Sequence, residues 1–181
     1  MTRIPPITSK NQIAPEAYAS FDSIAASRGN VRGPFAMLMH SPELAGRAAH
    51  LGAFVRFESS LPAHLREITV ATVARECECA YEWAAHASAL KEAGIAESTI
   101  DVIRTKAPVD GLGPDEQKVV RYARELVREH RVSDETFAPV HALLGDTGIT
   151  ELTAAVGYYS FLACVLNAFE VPAPDGSTRI A

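Results

Sequence analysis

The sequence predicts an all-α protein of about seven helices. Its 181 residues are 48% apolar and 22% charged, a composition typical of soluble globular domains and unlike that of disordered chains. Apolar residues recur at helical spacing over most of the chain, whereas the alternating pattern of strands is weak. No internal repeat or low-complexity tract is present, and the length fits one domain.

Proline, glycine and capping residues mark the ends of the predicted helices. The first helix opens at Pro15, in a first-turn position, and ends at Gly29. The second begins with Ser41 as N-cap and Pro42 at the first helical position. A stretch without glycine or proline then follows Pro62 and lasts until Gly94, a C-terminal capping residue. The same signals predict four further helices, at residues 97–107, 114–130, 133–146 and 150–169.

Composition and charge exclude several classes of protein. A net charge of -5 without a basic stripe argues against a nucleic-acid partner and against an anionic membrane. The N-terminal residues lack the apolar run of a signal peptide, and no segment reaches the length of an uninterrupted membrane span. Three cysteines are too few for a disulfide framework and fit a reducing compartment. We therefore expect a cytoplasmic protein.

The segment "ECECAYEWAAH", residues 76–86, concentrates reactive side chains. On a helix, Cys79, Glu82 and His86 fall within roughly 60° of one another and form a stripe on one face. Cys77 would point to nearly the opposite side, so a disulfide between Cys77 and Cys79 would require non-helical backbone. These two cysteines do not form a CxxC motif.

This arrangement resembles the carboxymuconolactone decarboxylase and alkylhydroperoxidase D family. The resemblance rests on residues 65–95, is supported by "YYSFLACVLNAFE" near the C-terminus, and covers most of the chain beyond residue 35. It implies one domain over residues 1–181, with an N-terminal extension at 1–34 and the family core at 35–170. It also implies a homo-oligomer, a trimer or a hexamer, with sites near the subunit contacts.

The family motif of the peroxidase branch is a Glu, eleven residues, a Cys, two residues, a second Cys, three residues and a His. Glu67, Cys79 and His86 match three of these positions, whereas Glu82 stands in place of the second cysteine. A single helix over residues 62–93 would hold Glu67 about 18 Å from Cys79 along the axis. The resemblance therefore implies a break between Ala74 and Glu78, with the second segment starting near Cys77, unless the glutamate of a neighbouring subunit completes the site.

The substitution of Glu82 separates two candidate activities. A dithiol peroxidase needs a second thiol to resolve the sulfenic acid that forms on the first, and a carboxylate one turn away disfavours a Cys79 thiolate. A decarboxylase-like enzyme needs no cysteine: His86, oriented by Glu82 or Glu67, would act as the acid–base group, and Arg66 could hold a substrate carboxylate. We place acid–base chemistry on a small carboxylated or lactone substrate first and a Cys79 peroxidase second, with no cofactor in either case.

Other interpretations remain open at this stage. Cys79 and His86 could be a buried thiol and a core histidine, and Glu82 with His86 could be an ordinary helical ion pair. A metal site on this face lacks a recognisable fourth ligand, so we predict no metal. Tyr81 and Trp83 are expected to pack, and a non-catalytic, ligand-binding oligomer is the third alternative.

Overall fold

The computed structural model describes residues 2–174, 176–177 and 180. Within these residues it is all helical and contains no β-strand, which confirms the predicted fold class. The α-helices are α1 (Tyr18–Arg28), α2 (Pro34–Leu38), α3 (Pro42–Ala53), α4 (Ala63–Glu76), α5 (Ala80–Glu92), α6 (Glu97–Thr105), α7 (Pro114–Glu129) and α8 (Asp134–Ala168). A π-helical turn, Phe54–Glu58, follows α3.

The helix count differs from the prediction in three places. The stretch after Pro62 forms two helices, α4 and α5, instead of one. The short helix α2 fills a segment that follows the Gly/Pro-rich loop and carried no helix prediction. The last two predicted helices join as α8, which keeps a non-helical residue at Gly145, next to the predicted loop.

Contacts between residues divide the described chain into two compact units. The first contains the residues up to Glu58 together with Cys164–Pro172, and the second contains Ser59–Ala163 together with the described residues from Ala173 onward. In the first unit, α3 packs against α1 and α2. The second unit contains α4 to α7, most of α8 and all the predicted site residues. The single domain over 1–181, with its extension at 1–34 and core at 35–170, stays a prediction.

Helix α4 is the central element of the second unit. It packs against α5, α6 and α7, and every residue from Glu67 to Arg75 is buried. Its two buried threonines donate to carbonyl oxygens one turn earlier, Thr69 to Leu65 at 2.8 Å and Thr72 to Ile68 at 2.7 Å. These bonds satisfy polar groups that burial would otherwise penalise. The site residue Glu67 is thus carried by the most enclosed helix of this unit.

The prediction that no segment reaches the length of a membrane span does not hold for α8. This is the one described helix long and apolar enough, by length and composition alone, to cross a membrane. Of its most apolar window, 56% is buried within the protein, as expected for a core helix of a globular chain. Pro139 lies within it, and Gly145 interrupts its helical dihedral angles.

Replacing Gly145 in α8 is expected to destabilise the protein. Its φ of 66° and ψ of −178° lie in a region that is essentially restricted to glycine, and a Cβ there would meet no atom within 4 Å. The cost of Gly145→Ala is therefore backbone strain alone, about 1 to 3 kcal/mol of the free energy of unfolding. Chemical denaturation measures this loss.

Gly157→Ala is the matched control in the same helix. Gly157 has no positive φ, and a Cβ added there also meets nothing within 4 Å. Alanine should stabilise this position by up to about 1 kcal/mol, because it restricts the unfolded chain and favours helix. Equal effects of the two substitutions would contradict the assignment of strain to Gly145.

Candidate functional site

The chain breaks between α4 and α5, which confirms the predicted interruption. Helix α4 ends at Glu76, Glu78 has a left-handed φ of 51°, and α5 begins at Ala80. The break lies slightly later than predicted, since the second segment was expected to start near Cys77. The N–H of Cys79 donates to the carbonyl oxygen of Ala74 at 2.8 Å, which closes the end of α4.

This break brings Glu67 to His86 within the same chain. The carboxylate Oε2 of Glu67 lies 2.9 Å from Nδ1 of His86, at hydrogen-bonding distance. Both residues are buried, with 7% of Glu67 and 5% of His86 exposed. An ionised Glu67 accepts a hydrogen bond from the Nδ1–H group and fixes the tautomer, so that Nε2 becomes the reactive nitrogen of the ring.

Glu82 and Tyr159 enclose the other side of the His86 ring. Oε2 of Glu82 lies 3.6 Å from Nε2 of His86, and Glu82 is only 5% exposed. The Tyr159 ring meets the imidazole edge to face, with 5.3 Å between ring centroids. His86 is therefore oriented by Glu67 and faces a second carboxylate.

Arg66 adds a positive charge beside the buried acids. Its Nε lies 3.7 Å from Oε1 of Glu67, beyond hydrogen-bonding distance but close enough for an ion pair, and its side chain is 17% exposed. Arg66 therefore lies close to the candidate site, as the sequence predicted. The catalytic role of Glu67, Cys79, Glu82 and His86 remains a prediction.

Cys79 lies at the start of the same stripe, and its side chain is a neutral thiol at neutral pH. It is the N-cap residue of α5 and has no exposed surface. Burial raises its pKa to about 11; the backbone N–H groups of Glu82 and Tyr81 lower it, and the Glu82 charge raises it. At neutral pH only about one molecule in 10,000 carries the thiolate, the form that attacks peroxides.

Cysteine alkylation tests this state of Cys79. At pH 7, iodoacetamide should label the exposed Cys164 readily and leave Cys79 in the folded protein unmodified. Because the thiolate is the form that reacts, labelling of Cys79 should rise about tenfold per pH unit and level off only above about pH 11. Mass mapping after timed labelling measures both rates, and faster labelling of Cys79 than of Cys164 at pH 7 would contradict the assignment.

The three glutamates of "ECECAYEWAAH" have different roles. Glu82 faces His86, whereas Glu76 is a buried ion-pair centre and Glu78 is exposed. The Glu76 side chain is 3% exposed and accepts two hydrogen bonds of 2.8 Å from Arg128. No sequence signal predicts this role, because the three basic partners of Glu76 are all distant in the chain: Lys106, Arg124 and Arg128.

The remaining candidates behave largely as packing residues. Trp83 is 1% exposed, and Tyr158 and Tyr159 are both buried, with 5.4 Å between their ring centroids. Tyr159 also contacts the His86 ring, so it both packs and borders the site. Cys164 is exposed. No group of three or more potential metal ligands forms a metal site within the described residues.

A family model matches part of the chain. Residues 42–125 match the model of the carboxymuconolactone decarboxylase family. This match confirms the predicted resemblance to the family over these residues. The matched region contains the stripe on α5 together with Glu67, so the candidate site lies within the family's shared segment. No curated protein sequence is significantly similar to the chain.

Solved structures share the fold at low sequence identity. A peroxidase-related protein from Ralstonia eutropha, described as an alkylhydroperoxidase AhpD core, has a TM-score of 0.76 at 16% identity, covering 96% of this chain and 93% of its own. A peroxidase-related protein from a Silicibacter species has a TM-score of 0.74 at 14% identity, covering 97% and 96%. The debrominase Bmp8, solved as a cysteine-to-alanine variant with 2,3,4-tribromopyrrole, has a TM-score of 0.76 at 12% identity, covering 97% and 95%. These likenesses show the fold.

Proposed function

We propose that the protein is a decarboxylase-like enzyme that performs acid–base chemistry on a small carboxylated or lactone substrate. The observation that carries this proposal is the buried hydrogen bond between Glu67 and Nδ1 of His86, at 2.9 Å. A carboxylate that orients a histidine in this way fixes the tautomer of the ring and the direction of its other nitrogen. A buried core histidine would need only one such bond, whereas Nε2 of His86 also faces Glu82 at 3.6 Å.

In the proposed reaction, one proton replaces the carbon dioxide that leaves the substrate. The bond between the substrate's α-carbon and its carboxylate breaks, carbon dioxide leaves, and the electron pair remains as an enolate. His86 donates its Nε2 proton to the α-carbon, and its ring recovers a proton from solvent before the next turnover. Glu67 stabilises the protonated imidazole, and Glu82 is placed to pass a proton to Nε2.

A thiol-dependent peroxidase that uses Cys79 is the second candidate. Its specific support is the position of Cys79 at the start of α5, where backbone N–H groups lower the pKa of the thiol. Two neighbours in fold are also described as peroxidase-related. Burial outweighs the backbone effect at Cys79, and Glu82 occupies the position of the resolving cysteine, so this activity stands second.

Two assays run on the same variants distinguish the candidates. Carbon dioxide release from a panel of small lactone acids should occur in wild type and persist in Cys79→Ser, since the acid–base steps do not use sulfur. Peroxide consumption with a dithiol reductant should be absent in both proteins. Peroxide turnover that disappears in Cys79→Ser would reverse this order, and the absence of both activities would favour a non-catalytic, ligand-binding family member.

We also infer that the protein is a cytoplasmic homo-oligomer, a trimer or a hexamer. Four of the five large apolar side chains that are exposed among the described residues lie within fourteen positions of the first unit: Leu44 (46%), Leu51 (48%), Phe54 (40%) and Phe57 (58%). Such a cluster on the surface of a soluble chain is typical of a contact between subunits.

Charge placed in this cluster should dissociate the oligomer. Leu51→Lys would bury an unpaired ammonium in the contact, which is strongly unfavourable. The measurement is mass by light scattering during gel filtration, which should fall toward the mass of one chain, 19.4 kDa. Phe137→Lys, at the remaining exposed apolar residue, is the control and should keep the assembly; a monomeric wild type would refute the inference.

A further inference from the structure

Two buried nitrogen donors beside the Glu67–His86 pair have no hydrogen-bond partner within the described part of the chain. They are Nε1 of Trp83 and Nε of Arg66. An indole N–H can only donate, and a buried donor without an acceptor costs free energy that folded proteins usually avoid.

Each donor adjoins one member of the pair. Arg66 directly precedes Glu67 on α4, and its Nε lies 3.7 Å from the Oε1 atom of that carboxylate. Trp83 precedes His86 by one turn of α5, so the two side chains leave neighbouring positions on the same helix face. Trp83 is 1% exposed, and it belongs to the apolar cluster that also contains Leu65 and Ile68, on either side of Arg66 and Glu67.

We propose that the indole N–H of Trp83 and the guanidinium of Arg66 bind the carboxylate group of the substrate. A carboxylate offers two oxygens and accepts one hydrogen bond from each donor, which satisfies both nitrogens at once. The proposal deepens the proposed function and rests on it for the choice of a carboxylate as ligand. It assigns positioning of the leaving group to Trp83 and Arg66, and proton transfer to His86.

Arg66 can hold a substrate carboxylate, whereas the charges of Glu67 and Glu82 repel it and so favour its loss as neutral carbon dioxide. Two buried carboxylates, Glu67 and Glu82, face His86, and the guanidinium of Arg66 is the cation beside Glu67. A substrate carboxylate would share this guanidinium with Glu67, while the neutral indole adds a donor without adding charge. An apolar enclosure around the carboxylate also favours its loss as neutral carbon dioxide.

The single tryptophan of the chain makes binding directly observable. Trp83 is the only tryptophan, so intrinsic fluorescence reports on this position alone. Titration with furoate, a planar five-membered ring that carries a carboxylate, should change the fluorescence of wild type in a saturable way. The methyl ester of furoate has the same ring without the charge and should bind at least about tenfold more weakly.

Two variants assign the binding to these donors. Arg66→Met and Trp83→Phe each remove one donor and should weaken furoate binding by about tenfold or more, measured by calorimetry because Trp83→Phe has no fluorescence signal. Arg131→Met, at an exposed arginine, is the matched control and should bind as wild type does. If Trp83→Phe shows no cooperative unfolding transition, it is not folded and its binding result is set aside. The test then rests on three measurements: furoate binding to wild type, binding of the methyl ester to wild type, and furoate binding to Arg66→Met.

Binding and turnover fail independently. No saturable binding of furoate, equal binding of its ester, or unchanged affinity in both donor variants would overturn the proposed carboxylate site. Furoate binding that depends on Arg66 and Trp83, without carbon dioxide release from any lactone acid, would keep the carboxylate site and reject the proposed reaction. Carbon dioxide release with wild-type KM in both variants would keep the reaction and reject the carboxylate site.

Discussion

Replacement of His86 by alanine is expected to lower kcat/KM for carbon dioxide release by about 10² to 10⁴-fold, the usual contribution of a positioned acid–base group. The loss should fall mainly on kcat, because His86 acts on the proton that moves in the transition state. Steady-state kinetics on the best substrate of the lactone acid panel measures it. Glu67→Gln should reduce kcat in the same direction, since the amide cannot stabilise a protonated imidazole as the carboxylate does.

A second histidine in the same unit provides the control for His86. His64 is exposed near the start of α4, and His64→Ala should leave kcat and KM at wild-type values. Circular dichroism and gel filtration should show that His86→Ala keeps its fold and assembly. If His86→Ala retains turnover, the acid–base assignment is wrong; if it loses assembly instead, His86 has a structural role.

Removal of the Glu76 carboxylate is expected to cost about 3 kcal/mol of the free energy of unfolding. Arg124, whose side chain is 10% exposed, lies 3.3 Å from Glu76, and burial lowers the pKa of this guanidinium while the Glu76 charge opposes that shift. Glu76→Ala would leave Arg124 as a buried charge without its counter-ion. Arg128 is 46% exposed and can turn toward solvent, which limits the loss.

Glu43, which pairs with Arg47 on α3, is the control for Glu76. Its side chain is 77% exposed and that of Arg47 is 80% exposed. Ion pairs of this kind contribute little, so Glu43→Ala should cost less than about 1 kcal/mol. Urea denaturation of both variants measures the difference, and equal losses would show that the burial of Glu76 does not determine its contribution.

The stripe on α5 could be predicted because its members are close in sequence. Helical spacing alone places Cys79, Glu82 and His86 on one face, and the structure buries all three. Similarly, the all-α class followed from apolar periodicity, and most helix ends followed from proline and glycine. Helix α2 escaped prediction because five residues are too short for periodicity to be seen.

The interruption at Glu78 could not be derived from local signals. No glycine or proline marks it, and a glutamate adopts the left-handed φ of 51°. Long-range contacts hold this conformation, among them the ion pair of Glu78 with Lys106 from the end of α6. Only the resemblance to the family predicted a break here, and it placed the second segment a few residues too early.

By itself the sequence determined the features that depend on residues close together in the chain. These are most of the helices, the helix face that carries Cys79 and His86, and the presence of Glu82 where the peroxidase motif has a second cysteine. Tertiary structure decided how these residues are combined. It brought Glu67 from a different helix to within 2.9 Å of His86, placed the ring of Tyr159 against the imidazole, and raised the pKa of the Cys79 thiol by burial. The physical reason is that hydrogen bonds between helices and desolvation depend on which surfaces pack together, and periodicity within one helix carries no information about its partners.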